Sequence, residues 1–136
     1  MVIMAVDLGK ARTGIAASDK TEYLASPVKV ISEHNRERLL ESVAQTATEI
    51  KAELIVVGLP KNMDGTEGES AKNARDFAQQ LSEKLSLEVK LWDERCTTIT
   101  AHGYLNDTNT RGKKRKAVVD QVAATVILQS FLDSRR

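Results

Sequence analysis

Three carboxylates in this 136-residue chain stand where a carboxylate is hard to accommodate without a partner. Asp7 ends an apolar run in AVDLGKARTGIAASD, and an acid closing a buried strand is costly unless it is paired or binds a cation. Glu94 repeats the arrangement in LWDERCTT, at the end of another strand-like run. Asp120 lies in KKRKAVVDQVAATVILQSFLD among Val118, Val119, Val122, Ala123, Val126 and Ile127, so a helix there is apolar around most of its circumference. Acids from separate elements, two at strand ends and one on a helix, are what two divalent ions need to direct water in line at a phosphodiester. Each also has an ordinary reading. Asp-Leu-Gly suits a turn, Asp-Glu-Arg suits an exposed ion pair, and an acid near a helix start is favoured by the dipole.

Side chains alternate faces along a strand, so a regular strand can turn only one of Asp93 and Glu94 toward Asp7. Glu94 is the choice. Candidate phosphate contacts surround these acids. Gly9 and Gly14 bracket Lys10 and Arg12, so a tight hairpin can present two cations beside Asp7. Arg95 follows Glu94 directly. The loop GLPKNMDGTEGES, 58–70, carries Asn62 and leads into a helix start, where free amides attract phosphate. It lacks the GxxxxGK[ST] pattern of a P-loop, and a plain surface loop is the other reading. In TRGKKRK, 110–116, the residues Lys113, Lys114, Arg115 and Lys116 form a connector without apolar periodicity just ahead of Asp120. Such a run suits backbone phosphates, which give affinity and register without base specificity, or is a solvated linker.

The elements that must position these residues follow from periodicity. Val2 to Asp7, Gly14 to Ser18 and Tyr23 to Ile31 read as three meandering strands. Leu39, Leu40, Val43, Ala44, Ala47 and Ile50 recur at helical spacing from Arg36 to about Lys51. Leu54 to Gly58 is a β-branched run suited to a buried parallel strand. Ser70 is the expected cap of a helix with Ala71, Ala74, Phe77, Ala78, Leu81 and Leu85 on its apolar face. Leu87 to Trp92 is a further strand, and Thr98 to Leu105 and Ala117 to Leu132 read as helices. The order βββ-α-β-α-β-α-α predicts an α/β fold: a mixed five-stranded sheet, a three-strand meander followed by two β-α-β crossovers, with helices on both faces.

Bulk properties narrow the function classes. A chain of this length with 41% hydrophobic residues suits one domain spanning 1–136 with a real core. Cys96 is the lone cysteine, which excludes an internal disulfide or cysteine zinc site and points to a reducing, cytoplasmic location. The N-terminal apolar stretch is too short for a signal peptide or a membrane span, so no membrane partner is expected. The net charge of +1 leaves the local distribution to decide about polyanions, and with aromatics at 4% no base-stacking platform is evident.

Taken together, AVDLGKARTGIAASD, ASPVKVI, VVGLPKNMDGTEGESA, LWDERCTT and KKRKAVVDQVAATVILQSFLD make a sequence that resembles the YqgF family, also called RuvX, nearly end to end. GLPKNMDGTEG and WDERCTT carry the most specific likeness. The resemblance implies an RNase H-like nuclease of the bacterial cytoplasm that uses Mg²⁺ or Mn²⁺ and acts in 5′-end maturation of precursor 16S rRNA, with a precursor ribosomal particle as a partner. It also implies, as an alternative, resolution of Holliday junctions, a branched DNA substrate. The implied catalytic and metal-binding acids fall on Asp7, Glu94 and Asp120; since related resolvases often carry the second acid on the strand beside the first, where this chain has Gly58, Asp93 and Asp64 stand as alternates to Glu94. Cys96 stands where the family usually has a bulky apolar residue. A non-catalytic nucleic-acid-binding module on the same fold is a third reading, which three retained acids disfavour, since carboxylates beside phosphate repel unless a metal intervenes.

Overall fold

In the computed structural model the described residues are 1–94 and 112–135, with side chains described from Ala123 onward in the second stretch. The expected helix over 98–105, Arg95 and Cys96 lie outside them.

The first strand, β1 (Ile3–Leu8), carries large apolar side chains on both of its faces. Met4 and Val6 go to one core, Ile3 and Ala5 to the other, and all four are fully buried. A strand of this kind belongs in the middle of a sheet covered on both sides. The observed sheet order is β3-β2-β1-β4-β5, with β2 at Thr13–Ser18, β3 at Ala25–Ile31, β4 at Leu54–Leu59 and β5 at Glu88–Asp93. The meander β1-β2-β3 is antiparallel, whereas β4 and β5 join β1 in parallel. That is the mixed five-stranded sheet the residue pattern predicts.

Helices α1 (Arg36–Glu49) and α2 (Glu69–Leu85) cover one face, where Leu39, Val43, Phe77 and Leu81 pack on Val6, Ile55 and Val57. Phe77 is wholly buried, and its truncation to Ala removes on the order of 3–5 kcal/mol. Helix α3 (Gly112–Ser134) covers the other face through Ala124, Ile127, Leu128, Phe131 and Leu132. It is fastened at both edges of the sheet. Gln129 accepts from the Ala25 amide at 2.9 Å and donates to the Tyr23 carbonyl at 3.1 Å, while the Trp92 ring meets Phe131 edge-on with centroids 5.5 Å apart.

Three expectations shift. β3 starts at Ala25 and not Tyr23, because Asp19 accepts the Tyr23 and Leu24 amides and holds them in a turn. The cap of α2 is Gly68, without a side-chain hydrogen bond, and Ser70 lies inside the first turn. The run Lys113–Lys116 is not a connector: α3 already begins at Gly112. Lys and Arg are good helix formers, and no proline or further glycine interrupts 113–134, so the helix extends upstream of its apolar stripe.

Candidate active site

The sheet register brings the strand-end acids together. Val6 on β1 lies beside Val57 on β4, so the next step places Asp7 beside Gly58. Gly58 in turn lies beside Trp92 on β5. Ile3 and Ala5 face α3, and alternation puts Asp7 on that side as well. Trp92 packs on the same core, and Glu94 follows it by two residues. The carboxyl groups of Asp7 and Glu94 share a hydrogen bond, although they belong to strands separated by β4. Gly58 leaves the passage: a Cβ there would stand 3.0 Å from Glu94 Cδ and 2.8 Å from Ile127 Cδ1.

Two acids in contact, both half-buried, cannot both stay ionised at ordinary cost. Burial, then the hydrogen bond to Asp7, then the charges of Asp7 and Asp93 push the Glu94 carboxyl up to about 9. Burial also raises Asp7, and the hydrogen bond from Glu94 opposes that rise. The pair therefore holds a proton, with the Glu94 O–H donating to the Asp7 carboxylate. A divalent cation can replace that proton and satisfy both acids.

Asp93 pairs in register with Leu59, a residue of the α1/α2 core, so it points away from Asp7 and acts on Glu94 through its charge. Asp120 lies on the backbone of α3, and its side chain is outside the described residues. Among the described residues no group of three or more His, Cys, Asp or Glu side chains gathers at one point. What they show is one acid pair beneath a helix that carries the third candidate.

The remaining candidates divide by location. Lys10 and Arg12 lie in the β1–β2 hairpin, closed by the Gly9 amide donating to the Arg12 carbonyl at 3.0 Å. Gly9 is required there, since a Cβ would fall 2.3 Å from that carbonyl oxygen. Lys10 lines a cleft of about 250 Å³ with His34, Arg36 and Ser70, on the face of the sheet opposite the acid pair. Asn62 is engaged inside its own loop, donating to Thr66 Oγ1 at 2.9 Å, and Asp64 accepts from Thr66 twice. The loop is fastened to α2 by Glu67, which accepts two hydrogen bonds from Arg75 at 2.7 Å. Lys113, Lys114, Arg115 and Lys116 occupy the first turns of α3. In the sequence Gly58 reads as the end of a β-branched run and as the residue standing where a second acid could be, with no task of its own.

Comparisons with known proteins bear on the fold and the family. The structure superposes on the Thermus thermophilus RuvC structure with a TM-score of 0.60 at 13% identity, covering 99% of this chain and 96% of that one. The fowlpox virus Holliday junction resolvase gives 0.61 at 14% identity over the full length of both chains. At such identities the likeness concerns the fold, which is RNase H-like. Among curated proteins, one of Clostridium botulinum (strain Eklund 17B / Type B) named "Putative pre-16S rRNA nuclease" is 41% identical over 133 residues, 98% of this chain and 97% of its own. A protein of the same name from Geobacillus sp. (strain WCH70) is 41% identical over 138 residues, the whole of both chains. Residues 1–134 match the family model described as "RuvX: Holliday junction resolvase". With the strand-end acids and the sheet that joins them in place, the chain belongs to the RuvX family.

Proposed function

We propose that this protein is a divalent-metal-dependent nuclease that hydrolyses phosphodiester bonds in the 5′-end maturation of precursor 16S rRNA, in the cytoplasm. The observation that carries the reading is the Asp7–Glu94 pair. A fold gains nothing from forcing two carboxyls together on the inner side of a sheet unless a cation or proton is to be held there. The names of the full-length relatives support the RNA substrate. No described helix is long and apolar enough to cross a membrane.

Asp7, Glu94 and Asp120 would hold Mg²⁺ or Mn²⁺. The donor set fits: hard carboxylate oxygens suit both ions. When bound, such ions lower the pKa of the attacking water and neutralise charge on the leaving oxygen, by the two-metal route. The chain's own tasks are to release the Glu94 proton as the cation enters and to keep both acids pointed at one place. Arg12, Arg95 and the basic start of α3 would bind flanking phosphates, fixing the strand without reading its sequence, whereas Lys10 opens on the other face of the sheet.

Resolution of branched DNA is the second reading, favoured by the description of the matched family. One preparation assayed on a precursor 16S rRNA fragment and on a four-way DNA junction, in Mg²⁺ and in Mn²⁺, separates the two. Faster turnover of the RNA is expected. Cleavage of the junction alone would transfer the function to recombination, and cleavage of neither would leave a binding module.

A further inference from the structure

Neighbouring strands lie about 4.8 Å apart, so the backbones of β1 and β5, with β4 between them, are separated by roughly 10 Å. A hydrogen bond between an acid on β1 and one at the end of β5 must therefore cross β4. It crosses at Gly58, which lies one step from the Val6–Val57 pair and beside Trp92. The Glu94 side chain occupies the space a residue at 58 would take: from an added Cβ, Glu94 Cδ would be 3.0 Å away and Cγ 3.1 Å. Below, Ile127 Cδ1 closes the same space at 2.8 Å. The need for glycine is thus steric and not conformational, because Gly58 is not among the residues with positive φ.

We infer that Gly58 is a positioning residue of the acid site: its missing side chain is the passage through which Glu94, just past the end of β5, reaches across β4 to Asp7 on β1. The sequence GLP at the end of β4 then has a task apart from loop building. Any side chain at 58 would meet Glu94 and Ile127, and because Ile127 is locked in the α3 core, the acid is the group free to give way. Displacing it by even a few tenths of an ångström separates it from Asp7 and loosens the joint hold on a cation. This inference rests on the metal reading of the site for its functional consequence, but the steric relation stands without it.

Gly58→Ala alone would also strike the core, so the test is made in an Ile127→Val background, which removes the Cδ1 methyl. Four proteins are compared: that parent, Gly58→Ala, Glu94→Ala and the combination. Melting in the presence of EDTA reads the steric contact, and titration with Mn²⁺ reads the site. Gly58→Ala is expected to lower the melting temperature while Glu94 is present and to weaken Mn²⁺ binding by about 10- to 100-fold, the range for groups that orient metal ligands. The melting effect should vanish in the Glu94→Ala background, since the glycine then has nothing to make room for. An equal loss of melting temperature in the two backgrounds, or full Mn²⁺ affinity in Gly58→Ala with Glu94 present, would overturn the assignment. If the parent itself takes up no Mn²⁺, the metal reading falls, and the melting cycle decides alone whether Gly58 makes room for Glu94.

Discussion

Asp19 and Glu94 are carboxylic acids of similar intrinsic strength placed at the two ends of one sheet, and the fold treats them in opposite ways. Asp19, exposed in the turn after β2, accepts from the Thr21 hydroxyl and from the Tyr23 and Leu24 amides. Those donors bring it down to about 2. Glu94 at the end of β5 meets burial, the Asp7 carboxyl and the charge of Asp93, and is pushed up to about 9. Donors around an acid mark one that stabilises a turn. Other acids around an acid mark one kept at a cost, which is the mark of a functional site. The contrast extends to the surroundings, since the Asp19 end is also tied by Glu22, which accepts from Arg135 and from the Met1 ammonium.

The contrast is tested most severely by Asp7→Asn. Cleavage should fall on the order of 10³-fold or more, because the charge that holds the cation is gone while the shape remains. Melting of the metal-free protein should change little, since the Asn amide oxygen can still accept the Glu94 O–H. A rate within about tenfold of wild type would break the assignment of Asp7.

Next in size is the difference between neighbours on β5. Glu94→Gln is expected to damage single-turnover cleavage far more than Asp93→Asn, because only Glu94 joins Asp7 while Asp93 acts through its charge. Equal losses would mean that both acids serve the cation.

Acidity supplies a third test, read by Mn²⁺ titration from pH 6 to 9. A carboxyl raised to about 9 must lose its proton to bind the cation, so affinity should climb up to about tenfold per pH unit toward that value. The metal-free protein moves the other way. A group whose folded pKa is raised contributes stability below its unfolded value, so stability is lost as pH rises from about 4.5 through about 9. Asp19 has the reverse sign, its contribution being present above about 4 and lost as pH falls toward about 2. A pH-independent Mn²⁺ affinity would remove the proton from the pair.

A smaller effect is expected from replacing Lys113, Lys114, Arg115 and Lys116 together by Ala. Binding should weaken and the slope of log K against log salt should flatten by about two to three units if most of them meet phosphates, with the saturating rate nearly unchanged. Alanine keeps the helix start, so an unaltered slope would reduce the run to a solvated first turn. The smallest effect belongs to Asp19→Ala, which should lower the melting temperature by a few degrees through loss of turn hydrogen bonds. Mn²⁺ affinity and cleavage should stay at wild-type values, and a loss of either would erase the distinction between the two acids.

Much of this was legible along the chain. The β-branched run from Leu54 to Gly58, the helical spacing from Leu39 to Ala47 and the short apolar run of β1 specify their elements, because burial of one face or both leaves its mark on local sequence. The two-residue alternation of a strand said that Asp93 and Glu94 face opposite ways, but which of them meets Asp7 is decided by the sheet register. Other features needed the assembled sheet. Whether Asn62 is offered to a ligand or held by Thr66 depends on loop hydrogen bonds that residue types do not specify. The helical state of Lys113–Lys116 comes from propagation of α3 and not from the apolar pattern, which begins after them. Above all, the meeting of Asp7 and Glu94 across Gly58 joins residues far apart in sequence on three strands. A glycine reads locally as a break in a strand, and only the strand order β1-β4-β5 turns it into the gap through which one acid reaches another.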